Sequence, residues 1–120
     1  MTKRILLALS FLFIGATTSY AGCSDPQTQT EMNICAGDEF RAADKQLNTL
    51  YAKNFPSLDA KHKGALKKAQ LAWITYRDLA CLSYGLRAEG GTMHSMLVNN
   101  CRTAITRQRI KLLADELKTY

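Results

Sequence analysis

The sequence predicts an all-α fold, a small antiparallel three-helix hairpin bundle stapled by two disulfides. Three observations carry this expectation. Apolar residues recur at helical spacing along three long segments, Pro56 and the Gly90-Gly91 pair punctuate them, and four cysteines follow an export leader. No apolar–polar alternation competes as a strand. Three amphipathic helices joined by short loops close as a hairpin bundle.

The leader comes first and is set apart from the fold. Lys3 and Arg4 give its positive end, Ile5–Gly15 its apolar run, and Ser19-Tyr20-Ala21 its small-residue cleavage site. The apolar run is too short to span a bilayer as a helix. The division is therefore a signal peptide at 1–21 and a single domain at 22–120, periplasmic or secreted, with no transmembrane segment in the mature chain. A competing cut uses Ala21-Gly22-Cys23 as a lipoprotein site and acylates Cys23. Tyr20 stands where such sites usually carry Leu, and lipidation would leave an odd number of thiols, so the simple cut is preferred.

The first helix begins at a capping box, Thr28-Gln-Thr-Glu31. Its stripe runs through Met32, Cys35, Phe40, Ala43, Leu47, Leu50 and Tyr51, weakened slightly at Gly37, and Pro56 ends it. Asp59 caps a second helix running to about Ser83, where Gly85 and the Glu89-Gly90-Gly91 loop break it. Its apolar stripe reads Leu66, Ala69, Trp73, Tyr76, Ala80 and Cys81, with Gln70 and Arg77 beside the stripe. Thr92 caps a third helix with Met96, Leu97, Cys101, Ala104, Ile105, Gln108, Leu112 and Leu113 facing inward.

Four cysteines, at 23, 35, 81 and 101, allow three pairings. Cys23–Cys35 is favoured because residues 23–27 can fold back over the first two turns of helix one. Cys81–Cys101 would clamp helix two to helix three around the glycine loop. Loops of this size gain roughly 3 kcal/mol each in the chain-entropy picture. No Cys-x2-Cys pair is present, so no metal site is expected.

Of 16 basic residues, 14 remain without Lys3 and Arg4, against 10 acidic ones, for a net charge of +4. Acidic residues concentrate early, at Asp25, Glu31, Asp38, Glu39 and Asp44; basic ones gather at Lys61, Lys63, Lys67, Lys68 and in the C-terminal third at Arg102, Arg107, Arg109 and Lys111. Moderate clusters of this kind are first of all solvated helix faces, and otherwise suit anionic envelope surfaces. An exported chain with no aromatic-rich basic groove is not expected to bind nucleic acid.

Asp44, Asn48, Gln70, Trp73 and Arg77 form the most telling polar constellation. Buried charges persist only when paired, so this group reads as a structural layer fixing helix register, with Arg77 bidentate to an acid on helix one. Catalysis has little to stand on. His62 and His94 lie on different helices without a nucleophile or second acid at catalytic spacing, and His62, within Lys61-His62-Lys63, reads as solvated. With the cysteines oxidised no thiolate is available. Glu39 and Asp78 are the only carboxylates placed for glycoside hydrolysis, and structural ion pairs explain them as well. No catalytic residue and no cofactor is assigned.

The segment Gln70-x2-Trp73-x2-Tyr76-Arg77-Asp78-x2-Cys81 carries a family resemblance. With Gln29, Met32-Asn33, Cys35, Asp44, Leu47-Asn48, Tyr51, Gly90-Gly91, Cys101, Thr106 and Arg109, it resembles the bacterial LprI-like lysozyme-inhibitor domain along nearly the whole mature chain. The resemblance implies an exported, disulfide-bonded, all-α protein, with inhibition of lysozyme an activity of some relatives. Two functional classes follow. One is inhibition of a lysozyme-type wall hydrolase, a protein partner whose carboxylate-lined cleft would accept a rigid loop. The loop with Arg87, Glu89, Gly90, Gly91 and His94 is the expected contact, although a mature charge of +4 opposes approach to basic lysozymes. The other is a periplasmic interaction or immunity-type module with a different envelope partner.

Overall fold

A computed structural model describes residues 23–119. The expected leader and the cut before Gly22 lie outside the described residues. Three helices, α1 (Gln29–Asn54), α2 (Ala60–Gly85) and α3 (His94–Leu117), run up, down and up. Short 3-10 turns at Phe55–Ser57 and Leu86–Ala88 join them. Both α1 and α2 pack on α3, and α1 follows α3 most closely. Among the described residues no helix is long and apolar enough to cross a membrane.

The capping box forms as read. Thr28 Oγ1 accepts from the Glu31 amide at 3.2 Å, and Glu31 Oε2 accepts from the Gln27 and Thr28 amides at 2.7 and 3.1 Å. Those two amides hold the Glu31 carboxyl below its ordinary pKa. At the far end of α1, Pro56 sits inside the 3-10 turn, after the last residue of regular helix. Asp59 caps α2, accepting from the His62 amide at 2.8 Å.

Two expected boundaries are corrected. Thr92 does not cap α3: the helix starts at His94 after Met93, which makes no side-chain cap bond. Instead the Thr92 carbonyl accepts from Asn33 Nδ2 of α1 at 2.9 Å, so this loop is tied sideways rather than to its own helix. Gly85 does not break α2 but is its last helical residue. A Cβ there would lie 2.5 Å from Val98 Cγ2 and 3.0 Å from His94 Nε2, so glycine permits the close approach of α2 to α3.

The inward faces of α2 and α3 also differ from the expected stripes. On α2 the buried row is Leu66, Gln70, Arg77, Cys81 and Gly85, with Trp73 half-buried between. Gln70 is only 8% and Arg77 6% exposed, whereas Tyr76 is 61% exposed and Ala69 also faces water. Ranking residues by apolarity misplaces the row because the two long polar side chains find partners inside. On α3 the buried residues are Val98, Thr103, Thr106 and Leu113, while Ala104, Gln108 and Leu112 are exposed. The threonines are tolerated inside because their hydroxyls find partners: Thr103 donates to the Asn99 carbonyl at 2.9 Å and Thr106 accepts from Arg77 at 3.5 Å.

Leu47, Leu58, Leu66 and Leu113 form the apolar core, with Leu50, Tyr51, Phe55, Trp73, Ile110 and Leu117 packed around it. This core lies toward the α1–α2 turn. His62 belongs to this end: it is half-buried and faces Glu116 Oε1 at 3.2 Å, not solvated as expected. The opposite end buries smaller groups, Cys35, Ala36, Gly37, Cys81, Gly85 and Val98. There the two bridges stand as favoured from sequence, Cys23–Cys35 and Cys81–Cys101, with Cα–Cα distances of 5.3 and 5.5 Å. The first bridge occupies the Cys23 sulfur that lipidation would require. Two bridges fit an oxidising, extracytoplasmic compartment.

Candidate functional site

A charged layer crosses the middle of the bundle and separates the two ends. Arg77 lies between two aromatic rings, its guanidinium 5.0 Å from the Phe40 centroid and 5.1 Å from that of Trp73. Nη1 donates to Asp44 Oδ1 at 2.9 Å and, more weakly, to Thr106 Oγ1 at 3.5 Å; Nε donates to Asp78 Oδ1 at 3.0 Å. The expected bidentate grip on one acid of α1 is thus divided between an acid on α1 and the next residue of α2. Both carboxylates stay partly exposed, which lets water carry some of their charge and lowers the cost of holding the layer together.

The other members of the predicted layer are only partly joined to it. Gln70 turns one helical step away, accepting from Arg109 Nε at 2.9 Å. Asn48 is exposed and only props Asp44, at 3.3 Å. Phe40, Arg102, Thr106 and Arg109 complete the arrangement, and sequence reasoning does not place them in it. Arg102 Nε stands 3.4 Å from Asp78 Oδ1 without hydrogen-bond alignment, and its guanidinium lies 5.6 Å from the Phe40 ring. A seven-residue recurrence is the signal that could have found the two arginines: Arg102 and Arg109 on α3 echo Gln70 and Arg77 on α2. Glu39, considered as a catalytic carboxylate, pairs with Arg107 at 3.6 Å on the surface, remote from Asp78 in role and environment.

The loop between α2 and α3 is built from consecutive tight turns. Glu89, Gly91 and His94 amides donate to the Leu86, Ala88 and Gly91 carbonyls at 3.1, 3.0 and 3.3 Å. Gly90 has φ +76°, a left-handed conformation that a side chain would strain. The base is fixed twice, by Cys81–Cys101 and by the Asn33–Thr92 bond. Arg87 lies over the Tyr84 ring at 3.9 Å and donates Nε to the Tyr84 carbonyl at 3.1 Å. Its guanidinium is therefore held in one exposed place rather than sweeping through solvent. Glu89, Gly90 and Gly91 are exposed beside it, while His94 is half-buried against Gly85. A turn assembled this way offers a cation and free polar backbone with little freedom left to lose on binding.

Charge divides along the bundle at the Asp44–Arg77 layer. The loop end, residues 23–43 and 78–105, holds six acidic against three basic residues, −3. The core end, residues 45–76 and 107–119, holds ten basic against three acidic residues, +7. The net charge of +4 over the described residues conceals this separation.

Comparison with known proteins places these features in context. The sequence profile described as lysozyme inhibitor LprI matches residues 21–113. An uncharacterized protein of Rhizobium meliloti (strain 1021) is 39% identical over 110 aligned residues, covering 81% of this chain and 79% of its own. No solved structure matches the chain.

Proposed function

Because the chain belongs to the lysozyme inhibitor LprI family, we propose that it is an exported, non-enzymatic inhibitor of a lysozyme-type peptidoglycan hydrolase, with the Arg87–His94 loop as its contact. The observation that carries this reading is the twice-anchored loop holding Arg87 over Tyr84. A lysozyme cleft works through two carboxylates. A preoriented guanidinium beside exposed Gly90 and Gly91 suits such a cleft, since the guanidinium pairs with a carboxylate and the glycines let backbone come close. His94 packs against Gly85 and is assigned to supporting the loop rather than touching the enzyme.

The separation of charge removes the objection raised by a net +4. A basic enzyme approaching the loop meets the end that carries −3, while the +7 end points away. Acidic surroundings would steer the encounter and Arg87 alone would enter the cleft. The test is clearance of a bacterial wall suspension by c-type lysozyme with the mature protein added, at low and physiological salt. Slower clearance, more pronounced at low salt, is expected. Unchanged clearance at large molar excess in both salts would remove lysozyme as target and leave an interaction module with another envelope partner.

A further inference from the structure

The outward side of α2 is apolar where a solvated helix would be polar. Seven of the nine exposed large hydrophobic residues among those described lie on α2 or the turn that follows it. Leu71, Leu79, Leu82 and Leu86 make a row at helical spacing, with Thr75 filling the remaining position; Leu71, Leu79 and Leu86 are 58%, 62% and 59% exposed. The row is opposite the Leu66–Gln70–Arg77–Cys81 face that packs inward. A contiguous exposed leucine row on a small exported domain marks a contact surface.

We infer that this row is where two copies of the chain pair, antiparallel, about a two-fold axis beside Leu79, between positions 78 and 79. Two independent features specify this occupant. First, the row is self-complementary. Antiparallel pairing about this axis sets Leu71 against Leu86, Thr75 against Leu82, and Lys68 against Glu89, so each end closes with opposite charges. Second, Leu79 lies close to the Arg77 layer that divides the molecule, so the −3 end of each copy covers the +7 end of the other. Parallel pairing would put like ends together and is opposed by the same charges. The row is about 22 Å long. That is short for an obligate interface, so the pair is reversible and concentration-dependent. Its geometry sets the two Arg87 loops at opposite ends, each engaged through Glu89 by Lys68 of the other copy, and the inference itself makes no use of the lysozyme reading.

Sedimentation equilibrium of the mature protein over a range of concentrations tests this, with its circular dichroism melt as the folding control. A monomer–dimer equilibrium is expected. Leu79→Glu, which sets two carboxylates beside the axis, should weaken it by at least about tenfold while leaving the melt nearly unchanged. Lys68→Glu and Glu89→Lys should each weaken pairing, and the double variant in one chain should recover it. A monomer at every concentration, a dimer indifferent to Leu79→Glu, or singles that are not rescued by the double would each overturn the assignment. So would a monomer whose leucine row becomes protected only in complex with lysozyme, since the occupant would then be the enzyme.

Discussion

The two ends of the bundle are held by different forces. The core end buries large aliphatic groups, Leu47, Leu58, Leu66 and Leu113, inside a shell of three aromatic and three aliphatic side chains. The loop end buries alanine, glycine, valine and cystine sulfur, and relies on two bridges and on side-chain bonds such as Asn33 to Thr92. A thin apolar interior contributes little hydrophobic stabilisation, and covalent links offset that by restricting the unfolded chain. The difference teaches a division of labour: one end supplies stability, and the other trades core volume for a rigid, exposed turn.

The largest expected effect tests the core end. Leu113→Ala or Leu47→Ala removes a fully buried side chain and should cost about 2–5 kcal/mol in urea unfolding. Breaking Cys81–Cys101 by serine replacement should cost a similar 2–5 kcal/mol, but with a different signature. Amide exchange should accelerate first around residues 81–101, while amides beside Leu47 and Leu113 keep their protection. Uniform acceleration over the whole bundle would erase the proposed distinction between the ends.

Arg77→Ala sharpens the boundary. It strands Asp44 and Asp78, yet each carboxylate is 39% exposed and water relieves part of the loss. A loss of about 1–3 kcal/mol is expected, below the usual cost of breaking a fully buried pair. A change within about 0.5 kcal/mol, read from the same urea curves, would show the layer to be incidental.

Thr28→Ala should cost about 1 kcal/mol as a lost helix cap. The Glu31 arm of that cap has its own pH signature. Its carboxyl is held below the ordinary value by the Gln27 and Thr28 amides, so its contribution is complete above the unfolded carboxyl pKa and fades as pH falls through the lowered folded value. Exchange of the Gln27 and Thr28 amides should quicken in that acid range only, and Glu31→Gln should flatten the response.

Much of this division is legible in the amino-acid sequence. Helix period, the Thr28 box and Asp59 mark the three helices because each rests on local chemistry, and the cysteine positions favour both bridges out of three possible pairings. The rotation of α2 is not legible, since Gln70 and Arg77 look polar in isolation and enter the interior only because Arg109, Asp44 and Asp78 meet them from elsewhere. Tyr76 is misplaced for the complementary reason: apolarity argues for burial, and nothing local reveals that no neighbour covers it. Gly85 looks like a helix breaker, whereas its role depends on Val98 and His94 of another helix. The candidate loop can be named from its glycines, but not the seat of Arg87 on Tyr84 or the tie from Asn33. The charge separation becomes visible only once contacts such as His62–Glu116 and Asn33–Thr92 define the two ends.

Which end of the bundle binds is read from three proteins in one lysozyme titration: the unaltered chain from Gly22, Arg87→Glu at the loop end, and Lys45→Glu at the core end. Both positions are exposed, so neither substitution should move the melt by more than about 0.5 kcal/mol equivalent. Mature protein and Lys45→Glu should inhibit alike, while Arg87→Glu, presenting a carboxylate to carboxylates, should lose at least about tenfold in potency. Inhibition by Arg87→Glu as strong as that of the unaltered chain would mean that the rigid loop end is not the end that binds.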